Sequence, residues 1–231
     1  MTDVISMKQS KSPVVAIIDM GLGNLFSVKN ACEYVGMKAI TTSSSTEIDD
    51  ADAIIIPGVG AFGDAMKILD TLCLAPTLHK NVDDNKPLMG ICLGMQILMT
   101  EGTEFGHFKG LDFITGTVVR FENPHSNRGL LKVPEICWNR MTRTHYGPHD
   151  SWSDTPLKGL HDGVFMYFNH SYYVKPKNPS VVISETNYGD IKFCSAFRKG
   201  NIFGFQAHPE RSGIEGLKVY KNFLSLIEYS M

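Results

Sequence analysis

Apolar positions in the first hundred residues fall into short continuous runs, separated by stretches with helical spacing. Val14-Val15-Ala16-Ile17-Ile18 is the first such run, as a parallel strand buried on both faces requires. After Gly21 and Gly23, Asn24 is placed to cap a helix from Leu25 to Val35. Its face carries Leu25, Val28, Cys32 and Val35, and Gly36 ends it. Strands follow at Lys38–Thr42 and Ala53–Ile56, the latter stopping at Pro57-Gly58-Val59-Gly60. Helical spacing returns from Phe62 to Leu69 and from Thr71 to Asn81, the second stretch interrupted near Pro76. Leu88–Ile91 is then a fourth strand, and a helix is expected to leave it through Met95–Met99. This β-α-β alternation describes a doubly wound sheet.

Beyond Gly102 the pattern changes. Short β-prone runs replace the alternation at Gly116–Phe121, Val164–Tyr167, Ser171–Val174, Ser180–Thr186, Phe193–Arg198 and Ile202–Phe205. Turn residues separate them, as in antiparallel strands added to one side of a parallel sheet. Thr142 to Pro156, rich in His, Pro, Asp and Ser, reads as an exposed loop. Ser212-Gly213-Ile214-Glu215 has the form of a capping box before a closing helix with Leu217, Tyr220, Leu224 and Ile227 on one face. Residues 1–12 are polar, without the apolar core of a signal peptide, and read as a disordered tail. Residues 13–231 contain no repeat or linker and form one domain.

Composition narrows the function classes. A net charge of −2 over 231 residues provides no electrostatic footprint for nucleic acid or an anionic membrane surface. No apolar run reaches spanning length. Five cysteines, at 32, 73, 92, 137 and 194, show no framework spacing, which points to a reducing, cytoplasmic compartment. Neither H-E-x-x-H nor paired Cys/His ligand spacing occurs, so no metal set is expected. Gly21-Leu22-Gly23 is not a dinucleotide fingerprint, because Phe26 occupies the place of its third glycine.

One stretch stands out chemically. Gly90-Ile91-Cys92-Leu93-Gly94 joins the fourth strand to the expected helix, the layout of a nucleophile elbow with cysteine at its apex. Side chains at the two glycines would crowd the strained turn, and a helix N-terminus would favour the thiolate. Alone, the motif reads equally as a small buried cysteine in a glycine-rich turn. Pro57–Gly60, at the carboxyl end of a neighbouring strand, leaves backbone N–H groups that could serve an oxyanion, or is a plain turn. Phe205-Gln206-Ala207-His208-Pro209-Glu210 supplies a base and its orienter just past another strand end. His79, His107, His125, His145, His149 and His161 sit in polar or surface contexts, while His170 is either structural or lines the pocket.

Taken together these residues resemble a class I glutamine amidotransferase domain, and most closely the glutaminase subunits of imidazole glycerol phosphate synthase. The signatures run in order: Ile18-Asp19-x-Gly21-x-Gly23-Asn24, Pro57 to Phe62, Gly90 to Gln96, His170-Ser171-Tyr172-Tyr173 and Gln206-x-His208-Pro209-Glu210. The resemblance implies a flavodoxin-like α/β fold, with a mainly parallel central sheet flanked by helices and added antiparallel strands. It implies a catalytic triad of Cys92, His208 and Glu210, and an oxyanion site from the N–H groups of Leu93 and of Val59 or Gly60. It further implies a glutamine pocket touched by Gly58, Gly60, Gln96, Ser171 and Tyr172. No cofactor is implied. The partner implied is a (β/α)₈ cyclase that receives ammonia for histidine biosynthesis, with paralogues that amidate surface-glycan precursors as the alternative. A cysteine peptidase or γ-glutamyl hydrolase fits the Asn24, Gln96 and Glu210 motifs less well, and the intact triad argues against a silent binding subunit. Departures occur at Met20, where the family has an aromatic, at Ala207, where it has Phe, and in the length of the 142–156 segment. Glu135-Ile136-Cys137 stands where the family carries His-Met-Gly, a segment expected to change the charge of the docking surface.

Overall fold

The computed structural model describes residues 12–146 and 152–230. The expected tail therefore lies outside the described residues up to position 11, and Pro13 is already integrated, its carbonyl accepting the Lys38 N–H at 2.8 Å. A nine-stranded mixed sheet forms the centre. Its order is Val164–His170, Glu135–Arg143, Val182–Tyr188, Ile191–Lys199, Ile202–Phe205, Leu88–Ile91, Ala53–Ile56, Val14–Ile18 and Lys38–Thr42. The last five run parallel and the first four extend them antiparallel.

The unbroken apolar runs of the parallel half follow from burial on both faces. Val15 and Ile17 face a core closed by Val28 and Cys32 and by Val219, Tyr220 and Phe223 of the final helix. Ala16 and Ile18, pointing the other way, meet Phe62, Leu69 and Leu78. Helices span Leu25–Tyr34, Phe62–Thr71, Ala75–Asp83 and Gly213–Ser230, with a short one at Ser45–Asp50. The Asn24 side chain caps the first as expected, accepting the Ser27 N–H at 3.2 Å.

Several expectations are corrected. Pro76 does not interrupt a helix but starts one, in the first turn, where its missing N–H costs nothing. Ile202–Phe205 is not simply antiparallel: it pairs parallel with Leu88–Ile91 and antiparallel with Ile191–Lys199, making it the seam between the two halves. Strands Ile114–Arg120 and Tyr172–Pro176 leave the main sheet for a second one with Met99–Gly102 and Phe108–Lys109. The helix after the elbow is only Leu93–Gln96, and the chain is a strand again by Met99. Met95, Ile97, Leu98 and Met99 are all fully buried with Gln96 as the one polar residue among them, and so nearly apolar a run carries no period to separate helix from strand.

The described parts of the 142–156 segment are not simply an exposed loop. Thr142 and Arg143 end a strand, and Trp152 is fully buried with its indole N–H on the Ile183 carbonyl at 2.8 Å. One large aromatic outweighs its polar neighbours, since truncating such a side chain typically costs about 3–5 kcal/mol. Residues 147–151, His149 among them, lie outside the described residues. Ser212 does not close a capping box: its hydroxyl donates to the His208 carbonyl at 2.7 Å and accepts the Tyr167 N–H at 3.0 Å.

Candidate active site

Cys92 occupies the apex of the turn with φ 53° and ψ −109°, a backbone region that non-glycine residues rarely enter. Its N–H is tied to the Phe205 carbonyl at 2.7 Å, so the seam strand holds the elbow in place. Both flanking glycines are required by contact. A Cβ on Gly94 would stand 1.7 Å from the Ile56 carbonyl oxygen, and one on Gly90 2.7 Å from the Gly94 carbonyl oxygen. The tight turn is thus packed directly onto the neighbouring strand, which is why small residues flank the cysteine.

His208 follows the seam strand, and its N–H is bound to the Tyr167 carbonyl at 2.8 Å. Its Nδ1 lies 2.8 Å from Glu210 Oε1, with both side chains buried. That contact directs Nε2 away from the carboxylate, and Nε2 has no hydrogen-bond partner. Burial opposes charging the ring, but the adjacent Cys92 sulfur and the Glu210 carboxylate outweigh it and raise His208 to about 10. The three residues expected from sequence therefore converge on one edge of the sheet. A helix of four residues makes a smaller electrostatic contribution at Cys92 than the longer one expected.

Gln206, whose side chain sequence reasoning left without a role, is fully buried beside Cys92. Its Nε2 donates to Cys92 Sγ at 3.6 Å, and its Oε1 accepts from Gln96 Nε2 at 3.2 Å. Gln96 Nε2 also reaches the Tyr172 carbonyl at 3.0 Å.

A cavity of about 370 Å³ opens above Cys92. Among its lining residues are Gly60, Gln96, Ser171 and Tyr172, all expected at the substrate, together with Val59 and Leu93. The chain changes sheets at Ser171, which exposes the Ser171-Tyr172 backbone to this cavity. Gly58 is not among the lining residues. Its carbonyl accepts the Leu93 N–H at 3.3 Å, so one expected oxyanion donor is occupied in this conformation. Gly23 packs under the same loop, since a Cβ there would lie 3.3 Å from the Gly58 Cα.

Glu104 also lines the cavity and was not anticipated. One of its oxygens accepts the Phe62 N–H at the start of a helix, at 2.8 Å, and burial raises its carboxyl above the usual range. No spacing rule links it to the elbow, because the intervening strand Met99–Gly102 was itself missed. Glu135, expected on the docking surface, is fully buried, whereas its strand neighbours Ile136 and Trp138 are 58% and 52% exposed. The strand alternation turns the carboxylate inward. Among the described residues no group of three or more His, Cys, Asp or Glu side chains could hold a metal ion, and no helix is long and apolar enough to cross a membrane.

Comparison with known proteins identifies the family. The family model described as glutamine amidotransferase class-I matches residues 16–226. Imidazole glycerol phosphate synthase subunit HisH from Syntrophotalea carbinolica is 41% identical over 212 residues, covering 91% of this chain and 98% of that protein. The subunit HisH from Chlorobaculum tepidum is 39% identical over 211 residues, again covering 91% and 98%. Among solved structures, PurLQS from Thermotoga maritima superposes with a TM-score of 0.69 at 18% identity, over 93% of this chain and 99% of that one. A glutamine amidotransferase from the same organism gives 0.56 at 13% identity, over 95% and 86%. At such identities these structures speak for the fold alone.

Proposed function

This chain belongs to the class I glutamine amidotransferase family, as a glutaminase subunit of imidazole glycerol phosphate synthase, and from that premise we propose how its residues perform the reaction. Cys92 Sγ attacks the side-chain amide carbon of L-glutamine, and the carbonyl oxygen takes up the negative charge. His208 Nε2, charged and held by Glu210, gives its proton to the departing nitrogen, so ammonia leaves and a γ-glutamyl thioester remains. Water then adds to the thioester carbon as His208 takes its proton. The C–S bond breaks, and glutamate and free Cys92 result. Gln206 stabilises the sulfur through its amide N–H. The single observation that carries this reading is the convergence of a strained Cys92 with a buried His208–Glu210 pair.

In the pocket, the Ser171-Tyr172 backbone and Gln96 hold the glutamine, and the Glu104 carboxylate meets its α-ammonium. Val59 or Gly60 together with Leu93 supply the oxyanion donors once the 57–60 loop turns over. The Leu93 N–H must first leave the Gly58 carbonyl, and the positive φ of 111° at Gly60 lowers the cost of that rearrangement. The resting chain is thereby kept weakly active, which avoids wasting glutamine.

Ammonia freed into water would be protonated and lost as a nucleophile, so it passes to a docked (β/α)₈ cyclase. Exposed Ile136 and Trp138, on the strand beginning next to the pocket-lining Pro134, support a docking face at this edge. The buried position of Glu135 leaves that face without the change of charge expected of it. A cytoplasmic setting accords with the five free cysteines. Residues 13–231 act as one domain in this reading. The test is complementation: this chain with a (β/α)₈ cyclase subunit from the same organism should restore growth without histidine to a bacterium lacking the native pair. Absence of growth, with glutamine-dependent amidation of a nucleotide sugar by the same pair, would reassign the acceptor.

A further inference from the structure

In the wall of the glutamine pocket, where His170 is itself a lining residue, lies a second acid–imidazole pair that the reaction does not use. Glu135 and His170 face each other as register partners on adjacent antiparallel strands, with Oε2 and Nε2 3.2 Å apart. Both side chains are inaccessible to water, and the imidazole is enclosed by the rings of Phe121, Phe168 and Phe193. The contact falls short of full hydrogen-bond alignment, and no other polar group reaches Oε2 or Nε2.

Hydrogen-bond bookkeeping assigns the proton. His170 Nδ1 lies 2.8 Å from the Tyr172 carbonyl oxygen, which can only accept, so Nδ1 carries a hydrogen. Glu135 Oε1 accepts the Asn139 amide at 2.7 Å and the Cys137 thiol at 3.5 Å, so no proton sits there. If Nε2 and Oε2 were both bare, two lone pairs would oppose each other in an aromatic enclosure, an expensive arrangement. One proton therefore lies between them.

We propose that Glu135 and His170 form a proton-sharing positioning pair that fixes the Ser171-Tyr172 backbone for glutamine binding. The Tyr172 carbonyl is held from both sides, by His170 Nδ1 and by Gln96 Nε2. Ser171 and Tyr172 line the cavity, and Gln96 continues through Gln206 to Cys92. Glu135 thus acts on the substrate pocket without touching the substrate. This deepens the glutaminase reading and rests on it.

The test separates KM from kcat in glutaminase kinetics of the chain with its barrel partner. Glu135→Leu removes the partner of Nε2 and frees the ring to reorient, while Asn139 keeps its bond to the Asn187 carbonyl. KM for glutamine should rise about three- to tenfold, the worth of one ordinary hydrogen bond, with kcat within about threefold. Glu135→Gln can donate to Nε2 and accept from Asn139, so its KM should stay within about twofold of wild type. Should Glu135→Leu fail to fold, the His170 pair of variants decides. His170→Asn can still donate to the Tyr172 carbonyl and should keep a lower KM than His170→Phe, which cannot. A KM unchanged in Glu135→Leu, an equal rise in Glu135→Gln, a loss confined to kcat, or equal KM values in the two His170 variants would overturn the pair's role. A wild-type chain without glutaminase activity would instead overturn the reading beneath it.

Discussion

Gly94→Ala sets two effects of opposite sign against each other. Gly94 lies in the short helix Leu93–Gln96 and has no positive φ, so alanine fits its backbone conformation. Helix propensity alone would make the change stabilising by about 1 kcal/mol. The new Cβ, however, would stand 1.7 Å from the Ile56 carbonyl oxygen, where side-chain carbons do not come within 3.0 Å. The obstruction is backbone, on a strand whose Ile54, Ile55 and Ile56 are fully buried, so helix and sheet must part by more than an ångström. Overpacking of that kind costs about 3 kcal/mol or more, at the upper end of the usual range. Overlap therefore wins, with a net loss of about 2 kcal/mol or more, and Tm should fall by about 4–8 °C for a chain of this size. Thermal unfolding followed by circular dichroism measures it. Glutamine turnover should drop as well, because Cys92 moves with the elbow. Gly58→Ala is the comparison: its Cβ would meet Leu93 Cβ at 3.1 Å, an overlap of only a few tenths of an ångström, so its loss should be smaller. If Gly94→Ala melted at or above the wild-type temperature, the claim that close packing dictates the glycine would be wrong.

The remaining predictions concern the chemistry. His208→Ala should lose several orders of magnitude in kcat and Glu210→Gln fewer, read from glutamate release; an active His208→Ala would mean another histidine is the base. NMR titration should find the His208 ring held up to about 10 in the wild type and lower in Cys92→Ala, since burial opposes the charge and the Cys92 sulfur is the first group supporting it. Because the folded-state value is raised, the ring's stabilisation is full below its unfolded value and fades as pH climbs through about 10. His208→Ala should therefore flatten the alkaline stability curve. Glu104→Gln should raise KM for glutamine about tenfold or more with a smaller change in kcat, as loss of a charged hydrogen bond does; an unchanged KM would remove Glu104 from the pocket.

Much of the site was legible in the chain because its signals are local. The elbow glycines, the Asn24 cap and the His-Pro-Glu triplet each impose chemistry within a few residues. The inner parallel strands Val14–Ile18, Ala53–Ile56 and Leu88–Ile91 were legible because burial on two faces removes polar residues from them. What escaped depends on distant partners. Glu135 looked like a surface charge until register placed it opposite His170. Trp152 sat in a polar stretch whose composition hid a buried anchor. Met95 to Met99 is apolar except for Gln96, so the end of the helix left no periodic trace, and Glu104 was lost with it. The Leu93–Gly58 hydrogen bond is a matter of peptide orientation, which no residue identity announces.

The central claim is that Cys92 releases ammonia from glutamine for use by the docked cyclase, and one measurement addresses it directly. The wild-type and Cys92→Ala chains, each purified with the barrel subunit, would be supplied with the cyclase's ribotide substrate and either glutamine or an ammonium salt. Formation of imidazole glycerol phosphate would be followed. The account predicts that Cys92→Ala abolishes product formation from glutamine while leaving formation from ammonia intact. Undiminished synthesis from glutamine in the Cys92→Ala complex would contradict it.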